Sequence, residues 1–91
     1  MIDRMKKPKQ RPDFRLEVMD DEMLLYHPAQ TRIFYCNQTA SLIWQLCSGE
    51  HTVEAMTTLL ADAFPDAADT MGDDVQKTLQ EFIAHGAIEL I

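Results

Sequence analysis

In Phe14-Arg15-Leu16-Glu17-Val18 apolar and charged residues alternate with the two-residue period of a half-buried strand, which places Phe14, Leu16 and Val18 on one face. The acidic run Asp20-Asp21-Glu22 reads as a turn, and residues 23–26 read as a second strand closing a hairpin. His27-Pro28 ends that strand, because proline lacks the N–H a ladder needs. Residues 31–36 are rich in β-branched and aromatic side chains and predict a third strand, with Phe34 and Cys36 on one face and Ile33 and Tyr35 on the other. Apolar groups on both faces call for cover on both, so something is expected over Ile33 and Tyr35.

Beyond residue 36 the period lengthens to that of helices. Asn37 caps a helix starting at Gln38, with Ala40, Ile43, Trp44 and Cys47 as its buried stripe and Gly49 as a left-handed stop. Thr52 caps a second helix, in which Val53, Met56, Leu60, Ala63 and Phe64 recur at helical spacing before Pro65. A third begins near Asp69 or Thr70, where Asp73 and Asp74 suit the positive end of its dipole. Its apolar face is Val75, Leu79, Phe82 and Ile83, and Gly86 ends it. Residues 87–91 form an apolar tail that pairs as a strand or packs on the helices. The fold class expected is α+β, winged helix-turn-helix-like, with three short antiparallel strands followed by three helices on one face of the sheet.

Composition adds an asymmetry to this picture. The 91 residues suffice for one small core and carry a formal charge of −7. Residues 1–15 hold six basic against two acidic residues, a balance of +4, whereas residues 16–91 hold two against thirteen, a balance of −11. Residues 1–12 read as a flexible basic arm with too little apolar surface to order it, and 13–91 as the folded domain. An acidic body repels nucleic acid, whose binding needs Lys and Arg to displace counterions, so no nucleic-acid partner is expected. No apolar run of about 18 residues and no signal-peptide core is present, so a cytoplasmic protein without a membrane partner is expected.

Candidate chemistry is sparse. Cys36 and Cys47 each fall at an apolar position and read as buried reduced thiols. His27, His51 and His85 are scattered, with no spacing that unites a nucleophile and a base. There is no His-x-x-x-His or Cys-x-x-Cys pair, and Gly49, Gly72 and Gly86 are isolated, so neither metal, cofactor nor phosphate cradle is expected. A strand edge beside a helix, without a catalytic group, suits an extended peptide, and the expectation is binding and no enzyme activity.

Leu24-Leu25-Tyr26-His27-Pro28, Tyr35-Cys36-Asn37-Gln38-Thr39-Ala40, Ile43-Trp44-Gln45-Leu46-Cys47-Ser48-Gly49 with Thr52-Val53, and Asp74-Val75 with Leu79 and Gly86-Ala87-Ile88 resemble, in order and spacing, the PqqD-like proteins, also called RiPP recognition elements. The resemblance covers residues 16–91. It implies a winged-helix-like domain that binds the leader of a ribosomally made precursor peptide and presents it to a modifying enzyme such as a radical SAM or kinase-like protein. In that family the leader adds a strand to the third strand and lies beside the third helix. By position, the peptide-binding residues are then Arg32, Ile33, Phe34 and Tyr35 on the strand and Asp74, Lys77, Thr78 and Glu81 on the helix. His27-Pro28-Ala29-Gln30 stands where members acting in pyrroloquinoline quinone (PQQ) synthesis carry a Pro-Glu-Arg type turn, which leaves the pathway open between PQQ-type and other peptide modification. The alternatives are a winged-helix nucleic-acid-binding protein and a self-associating module, a homodimer in which a second copy covers the strand edge.

Overall fold

The structure, a computed structural model, describes residues 1–20, 22–29 and 33–91. Among the described residues five strands and three helices follow in the order β1 (Pro8–Gln10), β2 (Arg15–Met19), β3 (Glu22–Tyr26), β4 (Ile33–Cys36), α1 (Gln38–Leu46), α2 (Val53–Ala63), α3 (Ala68–Ala84) and β5 (Ile88–Leu90), with a 3-10 turn at Pro65–Ala67 leading into α3. The expected α+β class holds; to the three expected strands the structure adds β1, which the sequence reading did not supply, and β5, one of the two readings left open for the tail. β2, β3 and β4 form an antiparallel sheet in that order, registered by Leu16↔Leu25 and Leu25↔Phe34, and β1 pairs antiparallel with β5 in a second sheet.

The helix boundaries follow from local chemistry. The Asn37 side chain accepts from Ala40 N–H at 2.8 Å and the Thr52 hydroxyl from Ala55 N–H at 3.0 Å, each satisfying a donor that the first helical turn leaves unpaired. α3 closes with Gly86 at φ 71°: Gly86 N–H donates to Ile83 carbonyl and Ala87 N–H to Phe82 carbonyl, the paired bonds of a Schellman cap. Gly49 is also left-handed, at φ 83°, but lies beyond Cys47, the C-cap of α1, and its N–H donates to Pro8 carbonyl at 2.9 Å. Its role is to receive another part of the chain rather than to stop the helix.

One core joins the sheet to the helices through Leu25, Ile43, Trp44, Met56, Leu79 and Phe82, all buried. The predicted stripe of α1 is buried throughout. On α3 Met71 takes a core place, while Ile83, at the flank of the buried row one residue past Phe82, stays 39% exposed. Ala63 is exposed as well. Val18 is 66% exposed although it shares a face with Leu16, since it sits one residue pair from the hairpin turn.

Residues 1–12 are not a free arm here. Lys7 and Ile91 exchange N–H···O bonds of 2.9 and 3.0 Å, Gln10 N–H donates to Cys47 carbonyl, and the carbonyls of Lys6 and Arg4 accept from Val53 and Glu54 N–H at 3.0 Å each. The segment thus caps the start of α2 as well as extending β5. Pro8 is buried, Ile2 and Gln10 are half-buried, and the Gln10 amide donates to Trp44 carbonyl at 2.7 Å, while the six basic residues of the segment and its continuation are exposed. Sequence composition missed this because backbone bonds, and not apolar content, supply most of the attachment.

Candidate functional site: a strand edge beside a polar helix face

β4 is the outer strand of its sheet; among the described residues no backbone bond reaches its far side. It therefore presents the N–H and C=O groups that an added strand would use. Ile33 and Tyr35 stand on the outer face, 55% and 67% exposed, beside Tyr26 and Leu24 of β3, their cross-strand partners. No described residue provides the cover expected for them. Arg32 lies outside the described residues. Phe34 turns inward instead, packing edge-on against Phe82 with ring centroids 5.6 Å apart, so within β4 it serves to anchor the strand.

α3 runs antiparallel to β4. Phe34 meets His85 at 4.9 Å, while Cys36, two residues on, feels the charge of Glu81, one turn earlier. Asp74, Thr78 and Glu81 recur as i, i+4 and i+7 and so share one stripe of the helix. Together with Lys77, Asn37 and Thr39 they line a cleft of about 330 Å³ at the Asn37 end of β4. All four helix residues picked by position thus come together. Asn37 and Thr39 were missed, because Asn37 was already accounted for as a cap. The lining groups are carboxylate, ammonium, hydroxyl and amide, which suits hydrogen bonding to a peptide backbone and its polar side chains more than burial of an apolar ligand.

Both thiols are buried and free of disulfide bonding. Burial, and then the Glu81 carboxylate, push Cys36 up to about 11, and burial alone pushes Cys47 up to about 12, so both are protonated at neutral pH. Cys47 donates its S–H to Ile43 carbonyl at 3.1 Å. Among the described residues no group of three or more His, Cys, Asp or Glu is placed to hold a metal ion, and no helix is long and apolar enough to cross a membrane.

A small antiparallel sheet with β4 at an open edge, backed by helices and flanked by a polar helix stripe, defines a winged-helix-like domain with a strand-edge groove. The chain belongs to the PqqD family, whose model, described as Coenzyme PQQ synthesis protein D, matches residues 22–88. It is 32% identical over 92 residues to a PqqA binding protein of Pseudomonas fluorescens, an alignment spanning 98% of this chain and 97% of that protein. The fold is also that of TbiB1, solved in complex with the TbiA(beta) leader peptide: the TM-score is 0.73 at 20% identity, covering 89% of this chain and 94% of that one.

Proposed function

We propose that this protein is a non-enzymatic adaptor that binds the leader of a precursor peptide as a strand added to β4 and presents it to a peptide-modifying enzyme of the radical SAM or kinase-like kind. The observation that carries the reading is the unpaired edge of β4, with Ile33 and Tyr35 exposed on it, running beside the Asp74–Glu81 stripe of α3. Family membership and a relative named for binding PqqA support the same reading. Backbone bonds along the edge give register, and alternate side chains give selectivity. Ile33 and Tyr35 are the apolar anchors; each contributes about 1.5–3 kcal/mol if the peptide buries it fully, less the cost of ordering that peptide. Arg32, which precedes Ile33 in the sequence, completes the proposed set. The modification served is PQQ synthesis or a related peptide pathway.

The test is an isotope-edited NMR titration with the precursor peptide encoded beside this protein. Shifts confined to residues 33–36 and 74–81 are expected. A concentration-dependent dimer with no response to peptide would instead assign the β4 edge to a second copy of the chain.

A further inference from the structure

A second cleft, of about 370 Å³, opens at the opposite end of β4 and is lined by Arg11, Asp13, Phe14, His27, His85 and Gly86. His85 stands four residues after Glu81 and continues the Asp74, Thr78, Glu81 stripe by one turn. His85, whose ring packs on Phe34 of β4, thus joins this cleft to the α3 stripe that flanks the strand. Its polar groups are held in place. Ala29 N–H donates to His27 Nδ1 at 3.0 Å, so in the neutral ring Nε2 carries the proton, and Nε2 lies 3.7 Å from Asp13 Oδ2. His85 occupies the C-cap of α3, its backbone N–H donating to Glu81 carbonyl at 3.0 Å. Arg11 N–H donates to Ala87 carbonyl at 2.9 Å, which fixes the backbone that carries the guanidinium beside that helix end. A chain of touching rings, His85–Phe34–Phe82–Trp44–Phe14–His27, links the two imidazoles through the core.

The two ends of the groove differ in charge. The Asn37 end offers two carboxylates and one ammonium. The His85 end offers a guanidinium and two imidazoles against one carboxylate, and that carboxylate faces His27. Among the described residues neither Arg11 nor His85 has an acidic partner within ion-pair distance. We infer that the Arg11–His27–His85 cleft takes an acidic side chain of the bound peptide, so that the groove selects a strand with an acid at its His85 end and a basic residue at its Asn37 end. This rests on the strand-addition reading above. From Asp74 to His85, α3 rises about 16 Å, so the two charges are separated by about four to five extended residues.

The test is an array of capped hexapeptides scanned at every position and probed with the whole protein, followed by synthesis of the best binder and of its acid-to-amide analogue. An acidic residue is expected at one end and a basic one at the other, with the amide analogue binding about five- to tenfold more weakly. Arg11→Gln and His85→Gln should abolish that discrimination while the 33–36 amide shifts persist. Asp13→Asn, which removes the competing carboxylate, should tighten binding of the acidic peptide, an outcome that damage to the fold does not produce. Selected peptides that shift the β4 amides but bind equally as acid and amide would overturn the subsite and leave strand addition standing. If no peptide shifts β4, strand addition fails and the subsite with it.

Discussion

Two strand edges in this small molecule meet different fates. β5 is already paired with β1, a segment of the same chain in extended form, whereas among the described residues none pairs with the outer side of β4. At β5 the register Pro8↔Leu90, Lys9↔Glu89, Gln10↔Ile88 is set by backbone bonds, and alternate residues are treated alternately: Pro8 is buried, Lys9 exposed, Gln10 half-buried with its amide on Trp44. That is how a sheet edge holds a peptide. The occupant of β5 is tethered, so no translational freedom is lost when it docks. An occupant of β4 from another molecule bears that cost, which, on the proposed function, contacts with the exposed Ile33 and Tyr35 and the polar cleft would offset. The filled edge belongs to stability; the open one is the edge proposed for recognition.

Deleting residues 1–12 bears hardest on this contrast. It strips β5 of its partner and leaves Val53 and Glu54 N–H without the carbonyls they use, and a loss of about 3 kcal/mol or more in urea unfolding is expected. An unchanged midpoint would return the segment to the status of a loose arm. The double change Ile33→Ser with Tyr35→Ser should do the converse. Both side chains are more than half exposed, so stability should move by no more than about 0.5 kcal/mol, whereas peptide affinity measured by calorimetry should fall about tenfold or more. Gly49→Ala should cost about 1 kcal/mol in the same unfolding assay, because φ 83° strains any side chain and the new methyl group would meet Ile91 Cδ1 at 3.3 Å and the Lys9 stem at 3.4 Å.

The thiols give the smallest effect and a way to sharpen the comparison. Both are held protonated in the folded state, Cys36 to about 11 and Cys47 to about 12, above the ordinary thiol value of 9.0. Their contribution to stability is therefore complete below about pH 9 and is lost as the pH rises through 11 to 12. At pH 8 labelling by a thiol reagent should be slow for both, and slower for Cys47, which is fully buried. Saturating peptide should slow Cys36 further, since it ends the open strand beside Glu81, and leave Cys47 unchanged. Equal protection of both would point to general tightening in place of a ligand on the β4 edge.

Much of this was legible from residue types at fixed spacing. The caps Asn37 and Thr52, the buried stripe of α1 and the two-faced strand at Ile33–Cys36 each rest on chemistry within a few residues, which periodicity reports directly. The stripe Asp74, Thr78, Glu81 was reachable as well, and extending it by one more turn would have found His85. Other features were not. Residues 1–12 looked disordered because their attachment runs through backbone groups, which carry no side-chain signature. The pairing of the tail at 88–90 was left open for the same reason, its partner being some 80 positions away in the chain.

The sequence by itself determined the local elements, the reduced buried thiols and the family, because these depend on which side chains recur and how far apart. Only the tertiary structure decided which strand edge is closed and which is open, and that Arg11, His27 and His85 share one cleft. Those outcomes depend on contacts between residues distant in the chain, where backbone hydrogen bonding and the geometry of packing, and not residue type, choose the partner.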